Sequence, residues 1–352
     1  MRLAVVSDCH IGNHTAFAGV EVGRINARCR QVLDSLEAAL GLALDAGCDA
    51  FVMAGDVFDT DHPYPDHLAA LIFMLRNAQR RGLSIHILVG NHDQHSNTPG
   101  DHALSPLALD FQVYETPFIL ERLPRVLMCP YGYNVTDMLD VTVDVAIAHH
   151  GIADDATHPA KASSQWVRHV NAIRQWMKQT GCNLYLSGDW HERRTWDGGR
   201  IQQIGAMAPV NWTNRAYIPG REDPYGSVVL VTENGVDRAV VPGPRFLRAT
   251  SVEEAEVLRQ ATQREGKFPY IDLIGDFTGK VPQHLQPFVK TSGAAEAKTE
   301  VVAAVVESVR SDASVEEQVS LYIDNDTEIP DEIRERVRTT VTKAMKEARC
   351  QT

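Results

Sequence analysis

Five short stretches carry the residues able to do chemistry: Asp8-x-His10, Gly55-Asp56-x-x-Asp59, Gly90-Asn91-His92-Asp93, His149-x-Gly151 and Gly188-Asp189-Trp190-His191. They offer carboxylate, imidazole and amide donors and no set of thiolates, a mixture that suits manganese, iron or zinc in a reactive site and argues against structural zinc. Two divalent ions about 3.5–4 Å apart clamp the attacking and leaving oxygens of an in-line displacement at phosphorus and activate a water as nucleophile. Such a pair needs one bridging carboxylate, and Asp56 is the candidate. Asp-x-His alone is a weak signal. Gly90-Asn91-His92-Asp93 is the most specific, because Asn is an uncommon ligand and Asn-His directly after an apolar run has few structural reasons. His92 is read not as a ligand but as a group that stabilises a pentacoordinate phosphorus or protonates the leaving oxygen.

The elements that must position these residues are short apolar runs. Leu3-Ala4-Val5-Val6 ends at Ser7-Asp8, Ala50-Phe51-Val52-Met53-Ala54 at Gly55-Asp56, and Ile85-His86-Ile87-Leu88-Val89 at Gly90-Asn91. Val145-Ala146-Ile147-Ala148 ends at His149-His150-Gly151, and Leu184-Tyr185-Leu186-Ser187 at Gly188-Asp189. Each reads as a buried strand. Between the first three, Val32, Leu33, Leu36, Leu40 and Leu44 share one helical face stopped near Gly47, and Leu68, Leu71, Ile72 and Leu75 mark a second helix. The alternation predicts an α/β fold, in which ligands gather beyond the carboxyl ends of the strands. Gly55 is read as letting the backbone approach an ion closely.

After His191 the texture is β-rich, with runs at 200–204 and 227–231, and Pro242-Gly243-Pro244 is an expected boundary. Beyond it come a strand at 246–249, a helix from near Ser251, a strand at 270–274 and a helical tail striped by Ile333, Val337, Val341 and Met345. The expected domains are 1–244 and 245–352.

Bulk properties narrow the class. Hydrophobic residues at 44% and charged residues at 23% are the balance of a folded globular protein. Net charge is −12, and neither part is basic when the chain is divided at Arg245. Contact with nucleic acid must therefore be local, metal-mediated or shared with a partner. Six scattered cysteines without a CxxC pair read as reduced thiols. No apolar run is long enough to span a membrane, and the N-terminus reaches Asp8 too soon for a secretory signal, so the expected location is cytoplasmic.

Together the five stretches resemble the motifs of the calcineurin-like metallophosphoesterases, covering residues 8–191. The chain length, the Gly-Asp-x-Phe-Asp form, the segment 246–274 and the helical tail are similar to SbcD-type DNA repair nucleases, which pair with an SMC-like coiled-coil ATPase. The resemblance implies a metallophosphoesterase β-sandwich flanked by helices, with a smaller C-terminal α/β capping-type domain. It implies two divalent ions, manganese being expected and magnesium, iron or zinc being alternatives. Asp8, His10, Asp56 and His191 would hold one; Asp56, Asn91, His149 and position 189 the other. The family usually places His where this chain has Asp189, whose hard oxygen tilts the site towards manganese or magnesium or leaves the second ion weakly held. His149 is preferred over His150 because it comes first after the strand and is followed by x-Gly. The implied substrate is DNA and the implied partner an SMC-like ATPase, with a homodimer as a further possibility. Rival readings are a phosphatase or phosphodiesterase for smaller phosphoesters, which the acidic balance favours, and a non-catalytic scaffold.

Weaker signals surround these. His150, Arg193 and Arg194 are candidate substrate contacts. His14, His95 and His102 flank motif loops, and His86 sits inside a strand as a structural residue. Trp190 and Trp212 can stack on bases, with core packing or rim shaping as the plainer alternative. The run at 275–280 is one residue short of a phosphate loop and is followed by Val281 rather than Ser or Thr.

Overall fold

The computed structural model describes residues 1–292 apart from 16, 97, 99, 123, 158–165, 211–213, 215–216, 234 and 275–280. Trp212, the run at 275–280 and the stripe from Ile333 to Met345 lie outside the described residues.

Strict alternation along the apolar runs builds two sheets with two different faces each. The first sheet has six strands in the order Gly235–Val240, Ser227–Thr232, Leu3–Val6, Ala50–Ala54, Ser84–Leu88, Gln112–Tyr114. The last four are mutually parallel, and Ser227–Thr232 joins Leu3–Val6 antiparallel. The second runs Arg194–Trp196, Ile201–Gln203, Leu184–Gly188, Val145–His149, Val126–Cys129, Phe118–Leu120, with a parallel centre and antiparallel edges.

Leu3, Val5, Val52 and Ala54 from the first sheet meet Val145, Ile147, Leu184 and Leu186 from the second in one core. Their neighbours Ala4, Val6, Phe51 and Met53 point the other way, under the helices Ala27–Asp45 and Pro65–Arg80, where Val32, Leu33, Leu36, Leu71 and Leu75 cover them. On the outer face of the second sheet, Ala146, Ala148 and Tyr185 lie beneath Ile173, Trp176 and Met177 of the helix Val170–Thr180. The layers are helix, sheet, sheet, helix. Each fully buried Val or Leu contributes about 1.5–3 kcal/mol, so the strand ends that carry the polar residues are held by rigid elements. His86 donates to or accepts from the Tyr114 hydroxyl at 2.8 Å on the neighbouring strand, a structural pairing.

The expected boundary at Pro242-Gly243-Pro244 opens directly into the strand Pro244–Ala249. That strand, Phe268–Ile274 and Val289–Ser292 form a parallel three-stranded sheet. The helix Val252–Arg264 packs on it, with the Ser251 hydroxyl accepting the Glu254 N–H at its N-terminus. The sheet is tied to the sandwich. Fully buried Arg245 reaches Asp223 at 2.8 Å, and Tyr270 donates to Gln31 at 2.6 Å. The guanidinium of buried Arg28 lies 5.1 and 5.3 Å from the rings of Phe246 and Tyr270.

Candidate metal centre

The strand ends at Val6, Ala54, Leu88, His149 and Gly188 open onto one place. The loop after Leu3–Val6 runs beside the loop after Ala50–Ala54, with Asp8, His10 and Ile11 donating to the carbonyls of Gly55, Asp56 and Val57. Asp93 staples the next loop to them, its carboxylate accepting N–H groups from Val57, Phe58 and Gly90. Asp8, His10, Asp56 and Asp189 all have positive φ, between 46° and 81°. Left-handed backbone at non-glycine residues is uncommon and tends to be stored at functional sites. Here it turns each side chain off its strand axis and into the cluster.

Gly55 is required for a different reason from the one expected. Its φ is +90°, and a Cβ there would overlap the His149 imidazole, so the close approach is to that ring. A Cβ at Gly90 would likewise overlap the backbone N and carboxylate of Asp56.

Asp56 is the centre of the arrangement. Its Oδ2 lies 3.7 Å from His10 Nε2, while its Oδ1 lies 3.3 Å from His149 Nε2 and accepts the His92 N–H at 2.9 Å. Asp8, His10 and His191 form one compact group of donors on one side, and Asp8, Asp56 and His149 another. Asn91 Oδ1 lies 3.2 Å from His149 Nε2. Asp189 donates its backbone N–H to both oxygens of Asp8, and its half-buried carboxyl feels Asp56, Asp8, His149 and His191.

Imidazole tautomers follow from the neighbours. His149 Nδ1–H donates to the Ala54 carbonyl at 2.6 Å, and His191 Nδ1–H to Asn214 Oδ1 at 3.2 Å, an oxygen that also accepts the Val210 N–H. His10 Nδ1 faces Asp59 Oδ1 at 3.6 Å. In His149 and His191 this leaves Nε2 facing Asp56 or Asp8, the orientation in which imidazole binds a cation.

Charge tells the same story. Burial, with Asp56 beside it, lifts Asp8 to about 6, and burial with Asp56 and Asp8 lifts Asp189 to about 7. Burial drives His10 well below its ordinary value, and His191 adds to the effect. His149 is the exception. Burial alone would lower it, yet Asp56, Asp8 and Asp189 raise it to about 10. The centre thus gathers buried carboxyl groups around the His149 imidazole.

This donor set fits a pair of divalent ions. His10 and His191 present Nε2 atoms 3.0 Å apart, close to the spacing of two nitrogens each about 2.0–2.1 Å from one ion. Asp8, His10 and His191 are placed to hold one ion, and Asp8, Asp56 and His149 another.

His92 forms a further group of close donors with His10 and Asp59. Its Nδ1–H donates to the Asp59 carbonyl at 2.9 Å, and its ring meets His10 edge-on at 4.8 Å. Burial lowers its pKa, but Asp56 and the Asp59 carbonyl and carboxylate raise it further, leaving it above the ordinary value.

Of the three candidate substrate contacts, His150 is buried, while Arg193 and Arg194 are half-buried beside acidic neighbours. His150 follows His149 at a strand end where successive side chains point to opposite faces. Its imidazole is buried against Gly151 and the Tyr185 hydroxyl, so it does not face a substrate. Arg193 pairs with Glu222 at 2.6 Å, and Arg194 lies on the edge strand Arg194–Trp196, where its charge acts on Asp154. His14 is also a positioning residue, donating Nε2–H to the His10 carbonyl and lying 3.6 Å from Asp59. Buried His102 lies 3.4 Å from Glu115, and His95 faces Asp61 at 3.6 Å. Sequence reasoning assigned no role to Asp59, Asp93 or Asn214. The first two were signalled by their fixed places in the motifs, whereas nothing in the spacing marked Asn214. Cys9 is a buried filler beside Met207.

A buried carboxylate–imidazole cluster able to hold metal ions thus stands at the carboxyl ends of a helix-flanked double sheet. The family model for calcineurin-like phosphoesterases matches residues 1–193, more than half of the 352 residues. The chain belongs to that family, whose members hydrolyse phosphoesters with a dinuclear metal site. No curated protein matches the chain. Among the described residues no helix is long and apolar enough to cross a membrane.

Proposed function

We propose that this protein is a two-metal phosphodiesterase acting on DNA, of the SbcD type, using manganese and working with an SMC-like coiled-coil ATPase. The disposition of Asp56 carries the phosphoester chemistry, each carboxylate oxygen facing a different imidazole. Support for DNA comes from the Gly-Asp-x-Phe-Asp form at 55–59 and from the C-terminal three-stranded sheet seated on the helix that follows the Asp8–His14 loop. The 245–352 unit would act as the capping-type domain.

When bound, the two ions would supply charge neutralisation at the phosphoryl oxygens and an activated nucleophile. The protein's own groups do the rest. Asp56 fixes the spacing between the two halves of the site, Ala54 and Asn214 hold His149 and His191 in the tautomer that exposes Nε2, and His92 donates a proton to the leaving oxygen.

The net charge of −12 favours a second reading, a smaller phosphoester substrate, because no global field attracts a polyanion. Purified protein with manganese is expected to degrade linear DNA and to hydrolyse bis(p-nitrophenyl) phosphate, both activities being abolished by a chelator. Hydrolysis of the small diester with none of DNA, even with the ATPase present, would sink the DNA reading.

Manganese rests on Asp189, which with Asp56, Asn91 and His149 would make the second donor set three oxygens and one nitrogen. Asp189→His is therefore expected to strengthen zinc binding and to lower the manganese-supported rate. Titration calorimetry with each metal checks this. Unchanged relative affinities would mean that position 189 does not touch the second ion.

A further inference from the structure

The two flanks of the centre differ in chemistry. On the His10 side stand imidazoles and carboxylates: His92, His14 and Asp59. On the His149 side stand aromatic rings. The Tyr131 ring lies 6.2 Å from His149 at 68°, and the Trp166 ring lies 5.2 Å from Tyr131 at 46°. Tyr131 N–H donates to the Val89 carbonyl at 2.9 Å, which ties it to the strand end that leads into Asn91. Trp166 precedes Val167, the residue paired with Gly151 just after His149-His150. The Trp190 indole, between Asp189 and His191, lies so close over Gly151 that a Cβ there would overlap it. All three rings are half-buried.

From this we infer that Tyr131 and Trp166 form a stacking subsite for a nucleobase adjoining the scissile phosphate. The inference deepens the phosphodiesterase reading and rests on it. Stacking on aromatic rings accepts any base, because every base has a π face, and it does not need a basic track. That matters here, because a chain of net charge −12 gains no long-range attraction for phosphates and must draw affinity from local contacts. The T-shaped contact with His149 places Tyr131 at the second-ion side of the centre, opposite His92. A base stacked there belongs to the nucleotide that is retained, while His92 serves the oxygen that leaves.

The test compares two chromogenic diesters with the same leaving group: thymidine 5′-(p-nitrophenyl phosphate) and its abasic deoxyribose counterpart. With the manganese-loaded full chain, KM for the abasic compound is expected to be roughly tenfold higher, with kcat little changed. Trp166→Leu and Tyr131→Leu should erase that difference, and Trp166→Phe, which keeps a ring, should retain most of it. The wild-type comparison needs no variant. Equal KM values for the two compounds on the wild type overturn the inference, as do Leu variants that lose activity equally on both. Thymidine preference without cleavage of DNA would leave the subsite standing and remove the DNA reading. Cleavage of DNA without thymidine preference would do the reverse.

Discussion

Asp56→Asn is expected to lower manganese-dependent hydrolysis on the order of 10³-fold or more, since a bound ion contributes several kcal/mol of charge stabilisation at phosphorus and each 1.36 kcal/mol is tenfold. The substitution keeps the shape of a fully buried side chain and changes only its charge and one donor atom. In the wild type, Oδ1 and Oδ2 face His149 and His10 from opposite sides. An amide turns an N–H group towards one of those imidazoles and leaves one oxygen for two ions. The second readout is thermal. Anything that binds the folded state alone stabilises it, by about 2.7 kcal/mol at a free concentration a hundredfold above Kd. Manganese should therefore raise the melting temperature of the wild type and do so far less for the variant. A third readout separates charge from folding. Without Asp56, burial is no longer outweighed, and the His149 imidazole should fall from about 10 towards its ordinary range. A variant that keeps a tenth of the activity and two bound ions would show that Asp56 does not bridge.

The parts of this centre that were legible in the sequence are those set by apolar runs and by glycine. Five short apolar runs each stop at polar residues, so their ends could be read to within about a residue. The run at 85–89, for instance, is realised as the strand Ser84–Leu88. His149 was preferred over His150 for its place directly after the run, and in the fold the two part because adjacent residues of a strand face opposite ways. Gly55 marked a close approach expected to be to an ion, and the His149 imidazole fills that space instead. What stayed hidden is what the tertiary structure imposes on single residues. Nothing in the composition announces positive φ at Asp8, His10 or Asp56. Asn214 and Tyr131 come from loops without period, and their roles exist only once distant strand ends have met. The helix Val170–Thr180 escaped because its buried stripe is short, held by Val170, Ile173, Trp176 and Met177. The pairing of Arg193 with Glu222, 29 residues away, was likewise invisible in the sequence.

His92→Ala is expected to lose about 10²–10⁴ in kcat while keeping its metal content, the range over which a positioned proton donor contributes. The two halves of that expectation come from its geometry. His92 is held from behind, with Nδ1–H on the Asp59 carbonyl and its backbone N–H on Asp56 Oδ1, so the imidazole is oriented by the residues around Asp56. A proton on the remaining nitrogen is supported by Asp56 and Asp59, which outweigh the burial that opposes it. A general acid works while protonated. In the wild type kcat/KM should therefore fall as pH rises through that raised value, and the alanine variant should lack this alkaline limb. The size of the loss should also follow the leaving group. An alkoxide leaving DNA needs the proton, whereas p-nitrophenolate departs without one, so the variant should be impaired much more on DNA than on bis(p-nitrophenyl) phosphate. Equal losses on both, with the alkaline limb intact, would assign His92 to stabilising the transition-state charge rather than to proton transfer.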